Sequence, residues 1–237
     1  MIKEAIEKIL SLAAPVITTV DDERLYSDKD LIPIIPPHPS ALTVSTLDSL
    51  AKYIQDNPDR LTEVIICIDG PHQVSVFSPL DETWRNREPY LVAKDTTPQF
   101  HFNDCMDVAS FIVGVQVHFD DNEARQALLK VVGNITESAV RTHADDGVTQ
   151  TVTAKAGITR VEDVDVPRIL PLAVRRTFYE IGAIPGDFIL RLRSAKEGAP
   201  TCALFETAAR VWEREAVIRI YEYIGAKKFP IPVTLIG

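Results

Sequence analysis

Four arginines are the side chains here whose type and spacing best suit chemistry. Arg191 and Arg193 sit two apart in the run Phe188-Ile-Leu-Arg-Leu-Arg193. An extended backbone puts both on one face and gives Phe188, Leu190 and Leu192 the other. Arg175 and Arg176 fall on a segment expected to be a neighbouring strand. A guanidinium is a planar fork that grips carboxylate or phosphate oxygens two at a time, so arginines grouped on a sheet make an anion site. The competing reading is that they pair with the chain's own acids, within one chain or between subunits.

Charge is unevenly spread around them. Residues 154–196 hold eight basic and five acidic residues, a balance of +3, so the rest of a chain of formal net charge −9 carries −12. That total disfavours non-specific DNA binding, which depends on neutralising phosphates. Two histidines precede paired acids, as His118-Phe-Asp120-Asp121 and His143-Ala-Asp145-Asp146. Such clusters can hold a divalent metal, but each acid pair also falls where a helix start or a hairpin turn needs a cap, and no metal ligand is assigned. No glycine-rich phosphate loop, nucleophile elbow or zincin motif occurs, so no catalytic residue and no cofactor is assigned. Cys67, Cys105 and Cys202 are odd in number, widely spaced and set among apolar residues, which reads as three buried hydrophobes.

The elements that must position these residues follow from periodicity. With 46% hydrophobic and 25% charged residues, the 237-residue chain is an ordinary globular composition rather than a disordered one. Ile2, Ile6, Ile9, Leu10 and Ala13 share a helix face that Pro15 ends; Glu4, Glu7 and Lys8 interrupt it too often for a signal peptide. The longest apolar run, Val108 to Val117, is too short to span a bilayer. A strand at 16–20 and its return at 24–27 lead to the rigid connector PIIPPHP at 33–39. A helix capped by Ser45 or Thr46 carries Leu47, Leu50, Ala51 and Ile54. Strands at 64–69 and around 74–79 form a hairpin, and Glu88 to Lys94 adds a third strand.

Residues 103–156 read as scaffold. A helix from Asn103 or Asp104 to about Val117 is apolar nearly all round and should be buried on most sides. A second helix begins at the capping box Asp120-x-x-Glu123 and stops at Gly133-Asn134. A hairpin follows around Asp145-Asp146-Gly147. Strands around 167–181, 188–193 and 200–206 precede a long helix from about Thr207 to Gly225. Trp84, in the loop DETWRNR, is either a loop anchor or a partner contact. The tail KFPIPVTLIG is too apolar to stand in water, so Phe229, Ile231, Val233 and Leu235 should dock on their own core or on a second copy.

Several runs are similar to an uncharacterised family of phage and prophage proteins. Leu128–Asn134 (LLKVVGN), Val152–Ile158 (VTAKAGI) and Cys202–Glu206 (CALFE) resemble hypothetical proteins from phages of Gram-positive bacteria. More distantly, VIICID, Thr97-Pro98-Gln99-Phe100 and the FE pair before the last helix resemble the YfdQ-like prophage proteins, a domain of unknown function. The resemblance spans most of residues 1–224, excludes the tail, and carries over no catalytic residue. It implies a phage-encoded protein working in the cytoplasm of an infected or lysogenic bacterium.

These readings together predict an α+β protein with largely antiparallel sheets, helices packed on one face and a long C-terminal helix. Residues 1–100 would form an N-terminal α/β subdomain and 101–237 the remainder. The expected function is non-enzymatic: a homo-oligomeric accessory protein that binds a host protein, such as a defence component it sequesters, or an anionic ligand through Arg175, Arg176, Arg191 and Arg193. The alternatives are a nucleic-acid-associated early phage protein and an enzyme acting on a phosphorylated small molecule. No membrane partner is expected.

Overall fold

A computed structural model describes residues 2–13, 15–20, 24–27, 39–81, 85–133, 143–145, 150–152, 164–166, 168–193, 200–208 and 210–237. The chain divides into two compact units, Met1–Pro39 and Ser40–Gly237. Residue 100, where the sequence suggests a subdomain boundary, lies inside the second.

The first unit is a helix and a hairpin. Helix α1 spans Ile2–Leu12, and β1 (Ile17–Val20) pairs antiparallel with β2 (Arg24–Ser27), in the register Ile17↔Ser27. The apolar residues of α1, Ile2, Ile6, Ile9 and Leu10 among them, are exposed. Residues 33–38 of the connector, His38 among them, lie outside the described residues.

The second unit holds two principal sheets. Its first half runs β3 (Leu42–Val44), α2 (Leu47–Asp56), β4 (Val64–Gly70), β5 (Gln73–Phe77), β6 (Pro89–Lys94), β7 (Met106–Asp107), α3 (Val108–His118) and α4 (Glu123–Gly133). Next come β8 (His143–Asp145), β9 (Gln150–Val152) and β10 (Val164–Val166), a small antiparallel sheet of order β10-β9-β8. The rest is β11 (Leu170–Val174), a 3-10 turn at Tyr179–Ile181, β12 (Ile184–Arg193), β13 (Thr201–Glu206), α5 (Val211–Gly225) and β14 (Val233–Ile236). The larger sheet has the order β14-β4-β5-β6-β3 and the other β11-β12-β13-β7. Most pairings are antiparallel; β14 on β4 and β3 on β6 are parallel. The fold is α+β with largely antiparallel sheets.

Each sheet covers its apolar face with helices. Val64, Ile66 and Ile68 of β4 pack with Val74, Val76, Leu91 and Ala93 beneath Leu47, Leu50 and Ile54 of α2 and Ile220 and Ile224 of α5. The second core joins Leu170, Leu172 and Val174 to Phe188, Leu190, Leu192, Cys202 and Leu204, covered by Phe111 and Val115 of α3 and Leu128, Val131 and Val132 of α4. Helix α5, at 15 residues the longest described, touches both β4 and β12.

Local signals explain most helix ends, with two corrections. Thr46 caps α2 by accepting from the Ser49 N–H. Asp107, not Asn103 or Asp104, caps α3 through the Ser110 N–H at 2.9 Å. Asn122 caps α4 through Arg125 N–H at 2.8 Å, because Asp120 is drawn to Arg175 instead. Helix α3 is also less enclosed than its composition suggests. Only Phe111 and Val115 are fully buried, while Val113 and Val117 are 58% and 60% exposed. Of the cysteines, Cys202 is buried, Cys67 half-buried and Cys105 exposed; burial, then Cys105 nearby, pushes the Cys202 thiol up to about 12. No described helix is long and apolar enough to cross a membrane.

The tail docks on its own chain. Val233 to Ile236 pair with Val64 to Cys67, and Phe229, Ile231, Val233 and Leu235 pack half-buried against the core of the larger sheet. At about 1 kcal/mol for each half-buried apolar side chain, removing residues 228–237 should cost roughly 3–4 kcal/mol, read as a lower urea midpoint. If the tail served a neighbouring copy instead, truncation would lower the light-scattering mass and leave monomer stability unchanged.

A polar tie links α2 to α5. Asp48 accepts from Tyr223 Oη at 2.6 Å and from Lys227 Nζ at 2.9 Å, and Nζ also lies 4.2 Å from the Tyr223 ring centre. The Tyr223 hydroxyl first, then Lys227, hold the Asp48 carboxyl below its ordinary 3.8. A lowered folded-state value stabilises above the unfolded value and is lost as pH falls through the folded one. Asp48→Asn should therefore cost stability at pH 7, with the gap to the native chain closing below about pH 4 in thermal melts. With Asp48 largely solvent-exposed, the effect should stay within about 1 kcal/mol.

Candidate functional site

The four arginines part company. Arg191 and Arg193 take the exposed face of β12, as their alternation predicts. Arg175 and Arg176 come directly after β11, which pairs with the other end of β12 in the register Val174↔Ile184. Arg191 and Arg193 lie seven and nine residues beyond Ile184, so roughly 23–30 Å of strand separates the pairs. Arg175 is exposed and joined to Asp120 at 2.7 Å. Arg176 is 2% exposed. The sheet therefore does not assemble a four-arginine site. Of the expected partner contacts, Phe229, Ile231, Val233 and Leu235 are engaged within the chain, and Trp84 lies outside the described residues.

Arg176 is instead the centre of a different site. Its Nη1 donates to Glu206 Oε1, whose side chain is 19% exposed at the end of β13. Its guanidinium carbon stands 4.1 Å from the ring centre of Trp212, at the start of α5, and within 5.6 Å and 6.0 Å of those of Phe102 and Phe188. Burial pulls its pKa down, and Glu206 and then Glu213 oppose that. The neighbouring Thr177 fixes the backbone: its hydroxyl donates to the Pro71 carbonyl, and its carbonyl accepts from Thr97 Oγ1 at 3.1 Å. These bonds tie the end of β11 to the β4–β5 turn and the loop after β6.

Nε and Nη2 of Arg176 have no hydrogen-bond partner among the described residues. They form one edge of the guanidinium, the edge that offers two parallel N–H donors to a carboxylate. A buried donor without an acceptor costs about 1–3 kcal/mol, so an orphaned pair on a cation invites an explanation. Arg176 lines an open groove of about 670 Å³ between β11, β12, the end of β13 and the first turn of α5. Gly186 borders it: a Cβ there would stand 3.5 Å from Nη2 and 3.1 Å from the Phe188 ring. The absent side chain leaves room for the Phe188 ring beside the guanidinium, whose Nε and Nη2 are closed off from solvent.

The groove has an apolar wall and an acidic rim. Pro171, Pro185, Val211 and Trp212 supply the first, and Asp187, Glu206 and Glu215 the second. Val211 is 65% exposed at the mouth. Helix α5 starts beside it without a side-chain cap, since Arg210 takes a left-handed backbone (φ 67°) and caps nothing. A helix start carries the positive end of the helix dipole, and here the Glu213 N–H already bonds the Arg210 carbonyl at 3.2 Å. Next to the groove, His72 meets the Trp212 ring edge-on at 5.8 Å, and its Nδ1 is 3.0 Å from Asp95 Oδ2. Asp95 is held in turn by the Thr97 N–H at 2.8 Å.

The acid pairs after histidine are otherwise occupied where described. Asp120 serves Arg175, and Asp121 accepts from Arg125 and Gln126. The side chains of His143 and Asp145, and all of Asp146, lie outside the described residues. Sequence reading picked Arg176 but missed Glu206, Trp212, His72 and Asp187, which come from separate elements and share no spacing. The nearest signal was the phenylalanine–glutamate pair at the end of β13, noticed only as a landmark.

No family model, no curated protein and no solved structure matches this chain.

Breaking the pair should show how much depends on it. Glu206→Gln leaves a buried cation without its counter-charge and should cost about 3–5 kcal/mol in urea unfolding. The double variant Arg176→Met, Glu206→Gln should recover most of that loss, because no buried charge remains.

Proposed function

We propose that the protein acts by binding, and that its ligand carries a carboxylate or a comparable single anionic group on an apolar body. The observation that carries this reading is Arg176, a buried cation that lines the groove and whose Nε and Nη2 have no partner among the described residues. Two further features support it. The start of α5 lines the same groove through Val211 and Trp212, and the positive end of its dipole favours an anion. Trp212, Val211 and two prolines line it with apolar surface, the usual makeup of a small-molecule site with few fixed polar groups. The role is that of a phage-encoded accessory protein that captures a ligand without transforming it, in the cytoplasm of the host cell. A nucleic-acid role would need Arg191 and Arg193 on a basic face, and the net charge of −9 works against it.

Intrinsic fluorescence tests the proposal, because Trp212 covers the guanidinium and the chain has only two tryptophans. In a Trp84→Phe background, titration with phenylacetate should shift Trp212 emission in a saturable way. Arg176→Lys keeps a cation for Glu206 but lacks the two-donor edge, so it should weaken binding about tenfold or more while still folding. Saturation of equal strength in both proteins would refute the proposal.

A further inference from the structure

Helix α1 leaves five large aliphatic side chains in solvent. Ile2 is 80% exposed, Ile6 51%, Ile9 67%, Leu10 61% and Leu12 75%, and no residue of the helix is buried. At 3.6 residues per turn, Leu12, Ile9, Ile2 and Ile6 share one arc of roughly 120°, and Leu10 extends it. Lys3, Glu4, Glu7, Lys8 and Ser11 take the other side, with Lys3 and Glu7 3.9 Å apart. Single apolar residues on a surface are ordinary, whereas a contiguous patch marks an interaction site. A helix of 11 residues is also marginal in water by itself and gains stability from a surface that covers its apolar side.

The chemistry of the patch selects what covers it. Lys3 and Lys8 balance Glu4 and Glu7, so the helix has no net charge. Helices that lie on anionic bilayers carry an excess of Lys and Arg on the polar side, and nucleic acids require a similar excess. Spacing points to other helices instead. Ile2, Ile6, Ile9 and Ala13 are separated by four, three and four residues, the rhythm of alternating d and a positions in a heptad. Isoleucine at both kinds of position favours three or four strands over two. The size of the patch agrees. With about 120 Å² for a fully buried Ile or Leu, the exposed fractions sum to roughly 400 Å², about half of what each partner gives to a standard interface. One helix pair would bury only part of that, because a two-stranded coil covers a narrow seam. In a bundle each helix has a neighbour on both sides, and the whole arc is covered.

We propose that α1 is an assembly arm, through which three or four copies of this chain join by packing their α1 helices into a small bundle. The surface is distinct from the Arg176 groove, and neither reading depends on the other.

Light scattering on the full chain, over a range of concentrations, reads the assembly directly. The native chain should reach the mass of three or four copies as concentration rises. Ile6→Glu combined with Ile9→Glu should hold the mass at one copy throughout. That variant should still unfold cooperatively in urea, since it changes no buried side chain. Lys3→Ala with Glu7→Ala, on the polar side, should leave the assembly unchanged. Spin labels on Ser11→Cys, in a Cys67→Ser, Cys105→Ser background that leaves only the buried Cys202, place the helices. Labels on different copies should lie roughly 15–30 Å apart, because bundled helices pack about 8–10 Å from axis to axis. A native chain that stays at one copy overturns the proposal, as does an assembly that survives Ile6→Glu with Ile9→Glu. Label separations beyond about 40 Å overturn it too, because α1 would then rest on another part of its partner. Cosedimentation with phosphatidylcholine–phosphatidylglycerol vesicles that is lost in the Ile6→Glu, Ile9→Glu variant would replace the bundle with a membrane surface.

Discussion

Helix α5 carries two sheets at once, and the second unit is built around that requirement. It places Ile220 and Ile224 in the core of the larger sheet, reaches β12 as well, and buries Ala216 fully. Small residues let a helix approach a neighbour closely, and larger aliphatics fill a wider gap, so side-chain size sets how near each sheet can come. Polar anchors fix the register of this wedge. Arg219 donates to the Ala183 carbonyl at 3.1 Å, just before β12, while Tyr223 and Lys227 hold Asp48 on α2. The same placement brings the first turn of α5, with Trp212, over the end of β11. The groove is thus a by-product of how one helix is shared.

A buried arginine is a costly way to fill the space where these elements meet. Ion pairs out of water recover their desolvation only with good geometry, and apolar residues of similar volume often serve stability as well or better. Here three aromatic rings surround the guanidinium and one carboxylate binds one of its nitrogens, which keeps the charge in place. The arrangement still leaves the two-donor edge over. Packing alone gives no reason for that remainder, whereas a ligand with an acceptor group does. A left-handed Arg210 and a bare Gly186 flank the same cleft, so departures from ordinary local preference gather around it.

What could be read from the sequence was local. Periodicity located α2, the β4–β5 hairpin, β6, the alternation of β12 and the long α5, because each is written in residues within a few positions of one another. Caps were harder where two acceptors competed. Asp120 looks like the start of α4, but Arg175, 55 residues away, takes it and Asn122 caps instead. Helix α3 is apolar all round, which suggested burial that the fold gives only to Phe111 and Val115. The candidate site was legible at one residue. Arg176 differs from Arg175 only in which side of the chain it leaves after Val174, and nothing within the run Arg-Arg tells them apart. Glu206 and Trp212 reach it by pairing and packing over tens of residues, and no spacing rule records that.

The parallel strand β14 has a consequence for the order in which this protein can fold. Its partner residues Val64 and Val233 are 169 positions apart, and the whole four-stranded sheet lies between them in the chain. Closing so long a loop is entropically unfavourable until other contacts have shortened it. The rim of β4 must therefore wait, unpaired and lined by Val64, Ile65 and Ile66, while the intervening sheet and α5 form. Contacts of such separation slow folding and leave a bare strand edge open to other chains in the interval. The charged loops and prolines near β14 can be seen in that light. A high concentration of partly folded chains is then a condition under which this fold is exposed to misassembly.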